Sequence, residues 1–194
     1  MEVKKGEIII NGKVLNNLDK FVLPLAKILE KHARYVIVSG YVSIFFGRSR
    51  ATEDIDVLLE KKNIKKFLEE IENRGYWVVN AGNAKEAIGI IESGSPIRIA
   101  RKNRIIPNLE VKFARTDVDK ITLKNRIKVK FNGNNLYFSP IELQIAYKIF
   151  LGSDKDLEDA RHLYNIFLEK MDIKKLEFFS KNLGVDKRLC FLWR

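Results

Sequence analysis

The stretch T-E-D-I-D-V-L-L, residues 52–59, constrains this chain more than any other. Two carboxylates, Asp54 and Asp56, flank one isoleucine and lead into an apolar run. Side chains of a strand alternate faces, so both acids project to one side, roughly 6–7 Å apart, while Ile55 and Val57 project into a core. Ionised carboxylates at that spacing repel unless a cation lies between them, and aspartate is a poor strand former. An exposed edge strand would accept the pair without a ligand, but the I-D-V-L-L context reads as a buried strand. A divalent ion, Mg2+ or Mn2+, is the simplest resolution, because magnesium takes carboxylate oxygens and completes its shell with phosphate oxygens and water.

Upstream, the apolar strand Tyr35 to Val38 ends at Ser39-Gly40, and a short helix over Tyr41 to Phe46 is closed by Gly47. Such a strand-to-helix turn is a place where backbone N–H groups hold a phosphate, and Gly40 permits close approach. Arg48, Arg50 and Thr52 lie between this turn and the two acids. Both arginines offer fixed bidentate donors for phosphate oxygens; the alternative is a solvated loop.

The remaining periodicities predict a mixed α/β (α+β) fold. Glu7 to Ile10, Asn11-Gly12 and Lys13 to Leu15 read as a hairpin, and Leu18 to His32 as an amphipathic helix, with Pro24 marking a kink or a later start. Asn63 to Asn73 and Ala84 to Ile91 read as helices, with strands at Tyr76 to Val79, Ile97 to Ala100 and Leu109 to Phe113. Ile127 to Phe131 and Leu136 to Phe138 form a second hairpin around Asn132-Gly133-Asn134-Asn135. Everything from Pro140 onward is helical, opened by a Ser139 cap with Pro140 at the first helical position. The expected organisation is an α/β domain over 1–138 and a C-terminal helical module over 139–194, against which the terminal F-L-W-R packs. In that module Lys148 is the one cation in an otherwise apolar run, and a lone buried ammonium is costly without an anion. It therefore reaches a carboxylate or a phosphate, unless it snorkels to water. Ser153 or Asp154 caps the next helix, placing Asp156 and Asp159 on one face. His32 and His162 lack ligand spacing.

V-S-G-Y-V-S-I-F-F-G-R-S-R-A-T-E-D-I-D-V resembles the signature of the nucleotidyltransferase (polymerase-beta-like) superfamily: a hydrophobic strand, Gly-Gly or Gly-Ser, a spacer, then Asp-h-Asp. The G-R-x-R-A-T-x-D-I-D form looks like the minimal nucleotidyltransferases related to type IV abortive-infection (AbiEii-like) toxins. The resemblance implies a nucleotidyltransferase-like mixed sheet with flanking helices, paired acids that bind two magnesium ions, and a turn that holds the triphosphate. By position, Asp54 and Asp56 match the metal ligands and Ser39 and Gly40 the turn, while Arg50 and Thr52 fall in R-A-T. Tyr41 follows Gly40 where the family has serine, so a hydroxyl contact to phosphate falls to Ser39 or Ser43. The superfamily's third carboxylate matches Glu110 in P-N-L-E-V-K-F-A, a glutamate for the more usual aspartate. Glu110 then completes the metal site or acts as a base, and a plain exposed strand glutamate is the alternative. Asp117 and Asp119 follow that strand, where acids favour a helix start. K-x(6)-K-D-L-x-D resembles the helical motif of the same toxin-like family, which carries Lys148 and Asp156 to the nucleotide site.

Charge completes the expectation. Lys and Arg number 36 against 25 Asp and Glu, a net +11. A lysine-rich thermophile surface would hold the two in balance, whereas a surplus favours a polyanionic partner. The implied activity is transfer of a nucleoside monophosphate from an NTP to an acceptor hydroxyl, with RNA (tRNA) as acceptor and an antitoxin protein as a possible partner. The alternatives are a small hydroxylated substrate, or a degenerate homologue that binds nucleotide or RNA without turnover. One cysteine, Cys190, excludes an internal disulfide and a multi-cysteine zinc site. No apolar run approaches the roughly 18–20 residues of a membrane helix, and the N-terminal apolar run is too short for a signal peptide. A cytoplasmic location is expected.

Overall fold

In a computed structural model, which describes residues 1–4 and 6–193 apart from the side chains of Phe191 and Trp193, eight α-helices and nine strands alternate. In chain order they are β1 (Glu2–Lys4), β2 (Glu7–Ile10), α1 (Asn17–His32), β3 (Tyr35–Val38), α2 (Gly40–Phe45) and β4 (Asp54–Leu59). Then come α3 (Ile64–Asn73), β5 (Tyr76–Val78), α4 (Ala84–Ser93), β6 (Ile97–Arg101), β7 (Asn108–Phe113), α5 (Asp117–Lys124), β8 (Ile127–Phe131) and β9 (Asn134–Phe138). The chain finishes with α6 (Ile141–Leu151), α7 (Asp154–Phe167), α8 (Ile173–Asn182) and a 3-10 segment, Asp186–Trp193.

All strands join one mixed sheet, ordered β1-β2-β8-β9-β3-β4-β7-β6-β5. The acid-bearing β4 sits inside it, antiparallel to β3 and parallel to β7. Strands covered on both faces read as near-continuous apolar runs, which is why β3 and the end of β4 show little alternation. Ile55, Val57, Leu109 and Val111 are fully buried and share one core with Val22, Leu25 and Leu29 of α1 and Phe67 and Ile71 of α3. Ile145 and Ile149 of α6 and Leu163 and Phe167 of α7 join the same core.

Three local expectations are corrected. Lys13 to Leu15 is not a strand; the ammonium of Lys13 donates to the Phe45 carbonyl at 2.9 Å, drawing this segment toward α2. β2 instead pairs antiparallel with β1 and parallel with β8. α1 runs through Pro24 from Asn17 without a later start. Pro140, not Ser139, is the N-cap of α6, because the Ser139 hydroxyl donates to Gln144 Oε1 at 2.7 Å. The second hairpin is tighter than expected. Asn132 (φ 47°) and Gly133 (φ 74°) alone form the turn, and positive φ at both positions matches the twist of the flanking strands. Gly152 ends α6 in the left-handed region and Ser153 caps α7, as predicted. Acids at 117 and 119 do open a helix, α5. His32 pairs with Glu70 at 2.7 Å, and His162 Nε2 lies 3.2 Å from the Phe46 carbonyl. At the C-terminus Leu192 is buried, while the side chains of Phe191 and Trp193, and Arg194, lie outside the described residues.

The N-terminus of α1 carries a reciprocal cap. Asn16 Oδ1 accepts from the Asp19 N–H at 2.8 Å, and Asp19 Oδ2 accepts from the Asn16 N–H at 3.0 Å. Loss of such a cap costs about 1 kcal/mol. Asn16→Ala should lower unfolding stability by about that amount in urea titration, without changing the m-value.

Candidate active site

Register places the acids. Asp56 is paired with Glu110 across β4 and β7, and Asp54 with Asn108, so Asp54, Asp56 and Glu110 project from one face of the sheet. Burial is the largest influence on Asp56 and pushes its carboxyl above the usual range. A hydrogen bond from Ser39 opposes this, and the charges of Glu110 and Asp54 add to it. Glu110 is not free: Arg98, its cross-strand partner on β6, donates through Nε to Oε1 at 2.8 Å.

The turn between β3 and α2 closes over this face. Ser39 adopts φ 65°, ψ −143°, a conformation that side chains rarely take, with a cost of about 1–3 kcal/mol. It is held there from two sides, by its bond to Asp56 and by Gln144 Nε2 donating to its carbonyl at 3.0 Å. Gly40 is required by close approach. A Cβ at this position would lie 2.9 Å from Nη2 of Arg50, so any side chain displaces the guanidinium. Tyr41, the departure from the family pattern, turns away from the cleft and is buried. Its hydroxyl donates to the buried Asp19 carboxylate at 2.6 Å, fastening the turn to the capped start of α1.

The far wall comes from α6 and α7. Lys148 is buried, and its ammonium meets Asp156 Oδ1 at 2.6 Å and Asp159 Oδ2 at 2.9 Å. Its anion is thus a pair of carboxylates within the chain, not open water. Asp159 has no exposed surface and also receives Arg50 Nη1 at 2.7 Å and the guanidinium of Arg48. Arg48 in turn reaches Glu158 and the Lys155 carbonyl. Burial raises the Asp156 carboxyl, but hydrogen bonds from Lys148 and Ser153 outweigh it and hold the group below its ordinary value. One buried aspartate therefore gathers three cations from two separate segments.

Between the walls lies an open cleft of about 570 Å³. Ser39, Gly40, Arg48, Arg50, Thr52, Asp54, Asp56, Lys148 and Asp156 all line it. The structure thus brings together two segments, 39–56 and 148–156, that are far apart in sequence. Thr52 donates to the Asp54 carbonyl at 3.2 Å and shapes the approach to β4. Ser43 does not belong: its side chain is wholly buried within α2 and does not face the cleft, so the expected phosphate contact from Ser43 is withdrawn. Glu110 lies behind Asp56 and is turned to Arg98. Asp119 is occupied in capping α5, accepting from the Thr116 N–H at 3.1 Å, and Asp117 is exposed. The ion pairs of two residues beside the cleft were not anticipated from the sequence. Asp159 looked like half of a capping pair, and only its pairing with arginines 109 and 111 residues away reveals it. Arg98 carried no signal beyond alternation on a strand opposite Glu110.

Among the described residues, no three His, Cys, Asp or Glu side chains are gathered as a ready metal cluster. Asp54 and Asp56 nevertheless offer two carboxylates facing a cleft, the number magnesium takes when phosphates and water supply the rest. Among the described residues, no helix is long and apolar enough to cross a membrane.

No family model matches the chain, and no curated protein matches it. Among solved structures it is similar to an antigenic nucleotidyltransferase-like protein from Paracoccidioides brasiliensis, at 16% identity and a TM-score of 0.53, covering 88% of this chain and 89% of that one. The fold is therefore nucleotidyltransferase-like.

Removing one partner from a buried charge cluster leaves the others uncompensated, at a cost of about 3–5 kcal/mol. Asp159→Ala should lose stability in that range in denaturant titration, whereas Glu158→Ala, on an exposed carboxylate, should change it by less than about 1 kcal/mol.

Proposed function

We propose that this protein is a divalent-metal-dependent nucleotidyltransferase, moving a nucleoside monophosphate from an NTP to a hydroxyl of an RNA acceptor such as tRNA. The observation that carries this reading is the single cleft, floored by Asp54 and Asp56 and walled by Arg48, Arg50 and Lys148. Carboxylates beside a concentration of cations fit a triphosphate with its metal, and fit few other small ligands.

Asp54 and Asp56 would hold the ion, with Glu110 able to join once it leaves Arg98. When bound, magnesium neutralises charge on the leaving phosphates and lowers the pKa of an acceptor hydroxyl. The chain's own groups supply the rest. Arg50 and Lys148, already fixed by Asp159, give the triphosphate preorganised positive charge at no cost of reorganisation during reaction. The Ser39-Gly40 turn admits phosphate close to the backbone. The acceptor oxygen bonds to the α-phosphorus, the bond from that phosphorus to the bridging oxygen breaks, and pyrophosphate leaves. Where Glu110, beside Asp56, does not join the ion, it would act as the base that takes the hydroxyl proton.

The likeness of G-R-S-R-A-T-E-D-I-D to AbiEii-like proteins supports a toxin role with an antitoxin partner as the finer form of this proposal. One observation favours a second reading. Arg98 occupies Glu110 as a metal would, which suits a homologue that binds nucleotide without turnover.

Incubation with labelled NTPs, Mg2+ and total RNA should yield a labelled RNA. NTP binding without any labelled acceptor would favour the second reading, and no NTP binding would overturn both. Asp54→Asn and Asp56→Asn should each abolish labelling while remaining folded.

A pH test follows from Asp56. Its folded-state pKa is raised, so the folded protein holds the proton more tightly than the unfolded chain does. Stability from this group is therefore greatest in acid and declines as pH rises through the unfolded and then the folded value. Without metal at pH 7, Asp56→Asn should melt higher than the parent protein, and the difference should vanish at low pH. A variant that melts lower at pH 7 would show that the Asp56 carboxylate is not held at a cost.

A further inference from the structure

We infer that the β6–β7 loop, R-K-N-R-I-I-P, together with Lys20 and Trp77, is a docking surface for single-stranded nucleic acid. On the proposed function, this surface feeds the acceptor end to Asp54 and Asp56. A recess of about 330 Å³ opens where this loop meets the start of α1. Lys20, Arg101 and Arg104 supply its charge, Phe21, Ile106 and Pro107 its apolar wall, and no carboxylate lines it. Lys102 adds a fourth exposed cation on the same loop. An all-basic recess beside apolar surface suits a chain of phosphates carrying flat, weakly polar bases.

The aromatic partner is in place. Trp77 is 38% exposed on the edge strand β5, and its indole N–H donates to the Arg104 carbonyl at 2.8 Å, tying the ring to the loop. Ile105 and Ile106 of the same loop stand exposed, at 62% and 45%. Exposed aromatics on a sheet face with neighbouring arginines are the usual platform for unstacked bases.

Register connects this platform to the chemistry. Trp77 pairs with Ala100, Ala100 with Asn108, and Asn108 with Asp54, so all four belong to one cross-strand row and one sheet face. Three strand spacings, roughly 14 Å, separate Trp77 from Asp54. The loop ends at Asn108, whose N–H donates to the Glu53 carbonyl at 2.9 Å, so the end of the loop abuts the residue before Asp54. Arg101 lies on the opposite, α1-covered face, with its guanidinium 5.9 Å from the ring of Tyr76, which packs on Phe21. A strand held at the recess would therefore cross the loop at the end of the sheet to place a base on Trp77 and reach the acid-bearing face.

The test uses the full chain with labelled 12-nucleotide single-stranded RNA and DNA, by fluorescence anisotropy, with neither NTP nor metal. The double variant Arg101→Gln, Arg104→Gln should weaken binding at least tenfold and flatten the salt dependence by about 1.4 in slope, at about 0.7 for each phosphate no longer neutralised. Trp77→Leu should weaken it about fivefold or more with the salt slope unchanged, since stacking is not ionic. Lys174→Gln, Lys181→Gln on α8 should leave binding intact. The RNA and DNA arms tell which sugar the surface accepts, and loop-dependent binding of either supports the proposal. Unchanged binding in the arginine variant, or competition by polyglutamate as effective as by oligonucleotide, would overturn it. Because no turnover is measured, loop-dependent binding stands even if no nucleotide is ever transferred, and transfer without it would leave the proposed function standing alone.

Discussion

The cleft depends on one buried carboxylate. Asp159, with no exposed surface, is the shared anion of Arg48 and Arg50 from the loop after α2 and of Lys148 from α6. Burying a lone carboxylate is costly, and at this site three cations compensate it. The arrangement does more than hold α7 against the sheet. It fixes in advance the cations that face the cleft, so that they lose little side-chain freedom when an anion arrives. Arg48, Arg50 and Lys148 are matched in number by Asp156, Glu158 and Asp159, so the wall holds its cations in place through paired charges.

On the opposite wall the order of cause runs through parity. β4 and β7 pair parallel with Asp56 beside Glu110, and a shift of one residue would turn both acids into the core and Ile55 and Leu109 into the cleft. The buried alternates set that register, and the acids inherit their position from it. The strained Ser39 is similarly derived: Gln144 grips its carbonyl, Asp56 its hydroxyl, and Tyr41 anchors the next residue to Asp19. The tyrosine that departs from the family's serine thus has a structural reason. It trades a possible phosphate contact for a tie between the turn and α1.

What could be read from the sequence follows the same division. Features encoded within a few residues were legible: the D-I-D strand, the Asn132-Gly133 turn, the Gly152 stop and the Ser153 cap each rest on local stereochemistry. The placement of Asp54, Asp56, Ser39, Gly40, Arg50, Thr52, Lys148 and Asp156 around one cleft was reached through motif resemblance. Ser43 failed because a six-residue helix turns its side chains quickly, and position 43 falls on the buried side. Lys13 to Leu15 failed because a non-local hydrogen bond outcompeted a good turn signal. Asp159 stood in the K-D-L-x-D motif without a role and Arg98 carried no signal, for one reason: each acts through a partner on another element, and no local periodicity encodes a partner.

The Arg98–Glu110 pair sets how ready the cleft is for a metal. Arg98 is more than half exposed, so its attraction to Glu110 is screened and amounts to no more than about 1 kcal/mol. Asp56 lies on the other side of Glu110, where two neighbouring carboxylates already raise the cost of its charge. A divalent ion brought in on a triphosphate would relieve that repulsion and offer Glu110 a stronger partner than an exposed guanidinium. Under the proposed function the arginine is then a placeholder. It partly offsets the charge that Glu110 adds beside Asp56, and the weakness of its hold would let Glu110 turn inward when substrate binds.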